Sequence, residues 1–249
     1  HGDVVIFNAS VESKSLIAVN QATGREAWRT TKEFDQSYTT PLIAPVNGRH
    51  ELIVSSRAGL TGFDPTSGEF LWEFHAGRNT SDYACTTPIF HNGIIYGSQN
   101  RRSALSAVRP GGRGDVSRSH RVWHNESRFD STVVSPVLHN GNLFWPKDGA
   151  FAIYNVASGE IVEHGRGEWR RLYASPIVAN GNLYVVSRFS GTYVAKATPD
   201  LEPVAHNVIE GDDSQFNASP VVHQGQLLLR SDRFLYCIGE RKVASTLPN

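Results

Sequence analysis

A chain of 249 residues that is 39% hydrophobic and 19% charged has an ordinary globular composition, which excludes a wholly disordered polypeptide. Its 24 basic and 24 acidic side chains cancel, so no global field draws it to nucleic acid or an anionic membrane, and recognition by charge must be local. No apolar run approaches the roughly 18 to 20 residues of a membrane span, and Cys85 and Cys237 are too far apart for a CxxC motif or a zinc knuckle.

Taken in chain order, the predicted elements repeat. The chain opens on a turn signal, His1-Gly2, and continues through a polar loop at Lys14 to the run Leu16-Ile17-Ala18-Val19. A Thr23-Gly24 turn then leads to a run ending at Trp28. Each later unit starts with Ser/Thr-Pro and an apolar run: Thr40-Pro41, Thr87-Pro88, Ser135-Pro136, Ser175-Pro176 and Ser219-Pro220, with prolines 47, 48, 40 and 44 residues apart. A turn dipeptide follows, at Asn47-Gly48, Asn92-Gly93, Asn140-Gly141, Asn180-Gly181 and Gln224-Gly225. Asn-Gly between β-rich runs signals a type I′ hairpin, which needs positive φ at both central residues. A second run comes next, then a third in which small and large residues alternate (Leu60-Thr61-Gly62-Phe63, Leu105-Ser106-Ala107-Val108, Leu235-Tyr236-Cys237-Ile238), and a Thr/Ser-Gly turn leads into a fourth.

Four short strands in about 40 to 48 residues is the period of a propeller blade, and no stretch sustains a helical period of 3.6. The chain therefore reads as an all-β propeller domain over residues 1–249. Six repeats are visible, at roughly 1–34, 35–81, 82–129, 130–170, 171–213 and 214–249; the innermost strand of the first lies upstream, or else the C-terminus supplies it, and Lys242 to Asn249 hold no apolar run suited to that, which favours the first.

The segments Ala18 to Trp28 and Gly62 to Trp72 resemble the tryptophan-docking repeat, A-x-D-x-x-T-G-x-x-x-W, of pyrroloquinoline-quinone-type (PQQ-like) β-propellers; the match is partial around Trp123 and weaker beyond, where Glu163 stands at the Trp position. The resemblance implies an outer-strand Trp packed between blades and a Gly where a β-carbon would clash. It also implies a ring of seven or eight blades, an extracytoplasmic location and a superfamily holding both quinone dehydrogenases and outer-membrane assembly lipoproteins. The dehydrogenases set an adjacent cysteine pair against the quinone and acidic and Asn ligands on calcium. This sequence has no adjacent cysteines, so the expectation is a non-catalytic binding or scaffolding propeller without a cofactor. A PQQ- and calcium-dependent oxidoreductase acting on alcohols or sugars is the alternative.

Strand order puts the loop between second and third strands, and the link from each fourth strand to the next blade, on one face. The first kind of loop carries a cation in every repeat: Lys14, Arg57, Arg101 with Arg102, Lys147, Arg188, and Arg230 with Arg233. Asp35, Asp82, Asp130 and Asp212-Asp213 come from the second kind and could simply pair with those cations. The functional expectation is an anion-complementary funnel of Arg57, Arg101, Lys147, Arg188 and Arg230. Tyr38 and Tyr173, three residues before a repeat proline, offer stacking area at its mouth to a protein partner, an anionic small molecule or a glycan. No metal site is expected, since repeat symmetry separates His91, His139 and His223, and His120 and His124 flank Trp123 on a strand. Cys237 fills a small-residue slot and reads as a buried thiol. The Gly-rich stretch from Arg109 to Ser119 reads as a flexible loop.

Overall fold

The computed structural model describes residues 1–33, 36–76, 83–98, 105–126 and 133–239; about half the chain is strand and 2% helix. The strands form six consecutive antiparallel sheets, here called blades one to six. Blade one holds Val4–Ala9, Ser15–Asn20 and Glu26–Arg29, with a single helical turn, Ser10–Ser13, at its first loop. Blade two runs Leu42–Val46, Arg49–Ser56, Gly59–Phe63 and Phe70–His75; blade three runs Ile89–His91, Ile94–Ser98, Leu105–Val108 and Arg121–Asn125. In blade four the strands are Val137–His139, Asn142–Lys147, Ala150–Asn155 and Ile161–Arg166, and in blade five Ile177–Ala179, Asn182–Ser187, Gly191–Lys196 and Pro203–Asn207. Blade six shows Val221–His223, Gln226–Arg230 and Leu235–Ile238. Blades one and six share no strand pairing among the described residues, so the ring is not closed.

The turn chemistry acts as the sequence predicts. All five hairpin dipeptides have positive φ at both residues, for example 48° at Asn92 and 76° at Gly93. In blades one to five the ladder between third and fourth strands shifts register at one equivalent point, a β-bulge that recurs with the repeat. The small residues of the third strand have a cause as well: Ala18, Gly62 and Ala107 lie opposite Trp28, Trp72 and Trp123, whose indoles need the space. Trp28 and Trp123 also reach the next blade, where each packs over the turn glycine, Gly68 or Gly159, so closely that a β-carbon would overlap the ring. Trp123 Nε1 donates to Val156 O at 2.8 Å across the same junction. These indoles join apolar side chains such as Leu52, Phe63, Leu143 and Tyr154 in cores shared between neighbouring blades.

The Ser/Thr-Pro signal serves a purpose its position alone does not disclose. Thr40 N–H donates to Thr87 Oγ1 (3.3 Å), Thr87 N–H to Ser135 Oγ (2.9 Å), Ser135 N–H to Ser175 Oγ (3.0 Å) and Ser175 N–H to Ser219 Oγ (2.9 Å). The proline holds the preceding residue extended, so its N–H points to one neighbouring blade while its hydroxyl accepts from the other. A relay of side-chain hydrogen bonds thus ties blades two to six at the starts of their innermost strands. Ser135→Ala leaves the Thr87 N–H without its acceptor and is expected to cost about 1 kcal/mol, or roughly 2–4 °C in melting temperature. Ser135→Thr, which keeps the hydroxyl, should restore most of it; equal losses in both variants would assign the effect to packing.

Two expectations are corrected. Cys237 is exposed, not buried, because no fourth strand covers Leu235–Ile238 among the described residues and the apolar side chains beside it stand open as well. The Gly-rich stretch after Arg109 is an ordered strap: Gly114–Asp115 adds to Phe70–His75 as a parallel fifth strand of blade two, and Val116 N–H donates to Glu73 O. Beneath it Glu51, fully buried, accepts from Trp72 Nε1 (2.7 Å), Gly111 N–H (3.1 Å) and the Arg49 guanidinium (2.6 Å). A carboxylate therefore replaces Trp-on-Gly docking at the junction of blades two and three.

Candidate functional site

Each blade runs inner strand, hairpin turn, second strand, loop, third strand, turn and outer strand, so the second-to-third loops and the links between blades share one face. On that face the predicted site residues fall into separate groups. Between blades one and two a cavity of about 610 Å³ is lined by Lys14, Lys32, Arg57, Glu73, Tyr83 and Ser10, among others. Tyr38 stands edge-on to Tyr83, with ring centroids 5.5 Å apart. Charges on this side are largely matched: Lys14 pairs with Glu33 at 3.3 Å, and Lys32 with Glu73 at 2.6 Å while lying over the Phe70 ring. Lys147 belongs to blade four, where its carbonyl accepts from Trp169 Nε1, and the exposed Arg230 ends a strand of blade six. Arg101, with Arg102, Asp35, Asp82 and Asp130, lies outside the described residues.

Blade five differs. Tyr173 and Arg188 are brought together, the guanidinium carbon 4.5 Å from the ring centroid. The same guanidinium lies 5.4 Å from the ring centroid of Phe189, and that of Arg171 lies 5.6 Å from it. Arg171 and Phe189 carried no signal in the sequence, because neither occupies a repeated offset. The conformation of Arg171, φ 51°, is uncommon for a side chain other than Asn or Asp and is a feature of backbone geometry alone.

The acids of blade six are engaged. Asp213 pairs with Arg233 at 2.7 Å. Asp212 accepts from the Ser214 hydroxyl and from Tyr236 Oη, each at 2.6 Å. Hydrogen bonds from Ser214, Ser231 and Tyr236 hold its carboxyl well below the usual carboxylate range. His120 and His124 do not converge: one bonds Ser119 and the other Ser106, and burial pushes the His124 imidazole below its ordinary value. Among the described residues no three His, Cys, Asp or Glu side chains gather where a metal could sit, and Cys85 and Cys237 belong to different blades. No described helix is long and apolar enough to cross a membrane.

Four-stranded antiparallel sheets arranged as blades, with Trp-on-Gly docking between them, define a PQQ-like β-propeller. The chain belongs to the outer membrane protein assembly factor BamB family, whose model matches residues 1–164. BamB from Moraxella catarrhalis is structurally similar, with TM-score 0.71 at 14% identity over 92% of this chain and 67% of that one. The computationally designed Ika8 protein gives 0.66 at 10% identity over 93% and 66%. Quinohemoprotein alcohol dehydrogenase ADHIIG from Pseudomonas putida HK5 gives 0.58 at 14% identity over 85% and 42%. The chain thus spans about two thirds of the first two and less than half of the third. No curated protein sequence matches it.

Proposed function

We propose that this chain is a non-catalytic scaffolding propeller that works outside the cytoplasm and presents one basic, aromatic face to a protein partner or another anionic ligand. Arg57, Arg101, Lys147, Arg188 and Arg230 supply the complementary charge, and Tyr38 and Tyr173 the contact area. The observation that carries this reading is the pairing of a cross-tied frame with loops of repeated charge. The Thr40 to Ser219 relay ties the inner strands of successive blades, and the second-to-third loops of that frame bear the cations. A rigid display of this kind lowers the ordering cost of association, and membership of an assembly-factor family favours a protein as the ligand.

The test combines Arg57→Glu, Arg188→Glu and Arg230→Glu in one protein and compares cross-linking to envelope proteins with wild type at matched stability. Loss of one dominant cross-linked partner is the expected result; an unchanged pattern overturns the basic face. The alcohol dehydrogenase neighbour motivates one rival, a quinone-dependent oxidoreductase. Titration with pyrroloquinoline quinone and calcium, read by quenching of the five tryptophans, is expected to be flat, and saturable quenching would favour the rival.

A further inference from the structure

Blade five sets two cations, Arg171 and Arg188, beside one aromatic ring. Lys14, Lys32, Arg49 and Arg233 each have a carboxylate within 4 Å; among the described residues Arg171 and Arg188 have none. Of the acids in this region Asp213 pairs with Arg233, while Asp148, which accepts from Leu172 N–H at 2.7 Å, and Asp212, which accepts from Ser214 and Tyr236, keep their charge but make no ion pair with either guanidinium. Two guanidiniums within 6 Å of one Phe189 ring repel each other unless an anion joins them.

Arg188 is also held in place. It lies over Tyr173 and beside Phe189, and its Nε–H and one Nη2–H donate to the Gln215 side-chain oxygen. The edge formed by Nη1 and the other Nη2 hydrogen has no partner among the described residues, and that edge matches a carboxylate through two parallel hydrogen bonds. Tyr173 and Phe189 are each about half exposed, at 51% and 48%, so a bound segment can also cover apolar area.

The geometry points to a docking site for an extended, carboxylate-bearing segment of a partner protein, centred on Arg171, Tyr173, Arg188 and Phe189. This deepens the reading of the basic face and rests on it. A neutral sugar fits less well because its hydroxyls need acceptors as well as donors, and the nearby amide oxygen, on Gln215, is already spent on Arg188.

The probe is a fluorescein-labelled peptide of alternating Asp, Gly and Phe, with an Asn-for-Asp counterpart, polygalacturonate fragments and inorganic phosphate as competitors. Wild type should bind the acidic peptide saturably and the Asn peptide not at all. Arg171→Gln and Arg188→Gln should each weaken binding about tenfold, the loss of one charge-assisted pair. Arg188→Lys, which keeps the charge but not the fork, should weaken it by several-fold and guards against a Gln variant that misfolds. Arg25→Gln, in the exposed turn between Ser15–Asn20 and Glu26–Arg29 and outside the basic face, should leave it unchanged. Absence of saturable binding, equal binding of the Asn peptide, or stronger binding of phosphate or polygalacturonate overturns the site. Binding that depends on Arg57 and not on Arg171 or Arg188 also overturns it while leaving the wider basic face intact.

Discussion

Glu51→Ala is expected to be the most damaging single change at any blade junction, at about 3–5 kcal/mol of folding free energy. The carboxylate is wholly excluded from solvent and receives three donors from three parts of the chain. Truncation strands the Trp72 indole N–H and the Gly111 N–H in an apolar setting, each costing about 1–3 kcal/mol, and leaves a cavity beneath the strap. Arg49 is 42% exposed on its side chain and can turn to water, so it adds little. Urea unfolding at unchanged m-value is the measurement. Trp72→Phe supplies the second leg of a double-mutant cycle: because it removes one of the same hydrogen bonds, the double variant should lose less than the sum of the singles. Additive losses, or a cost below about 1 kcal/mol for Glu51→Ala, would show that the carboxylate is not the fastener of the strap.

That fastener also shows where sequence reasoning stops. The four-strand order and the hairpin dipeptides were legible because each is local or recurs with the repeat, as Asn140-Gly141 needs only its own backbone; the family resemblance added a Trp between blades and a crowded turn Gly, but not that Trp28 meets Gly68 or Trp123 meets Gly159. Glu51 sits in the polar run Arg49-His50-Glu51, and its partner Gly111 lies 60 residues ahead with no repeat counterpart. Gly-rich composition therefore suggested flexibility where a parallel strand forms. Likewise Thr87 and Ser135 were visible as Ser/Thr-Pro signals, whereas the bond between them links residues 48 apart. For the candidate site, the repeat offset found Arg188 and the proline offset found Tyr173, but nothing in either pattern says that they touch. Arg171 joins them only because a left-handed backbone carries it there, which no residue preference for Arg foretells.

A glycine on the loop face provides the second large effect. Gly59 begins the third strand of blade two at φ +150°, and a β-carbon there would fall inside the carbonyl oxygen of Phe74 on the paired outer strand. Gly191 repeats the arrangement in blade five at φ +84°, against the carbonyl of Asn207. Gly59→Ala must both leave a region nearly confined to glycine, costing about 1–3 kcal/mol, and push two hydrogen-bonded strands apart; the expected total is about 3–5 kcal/mol. Gly93→Ala separates the two causes, since Gly93 has a comparable sign of φ, +76°, with no atom within 4 Å of its would-be β-carbon, and should cost only about 1–2 kcal/mol. Equal costs would assign the whole effect to backbone conformation. A larger loss at Gly59 would show that the close approach of outer and third strands fixes the loop end of the blade. Arg57 stands two residues before Gly59 in the tight turn between Ser56 and Gly59, so the same variant should loosen the cavity between blades one and two while leaving the Arg188 group of blade five in place.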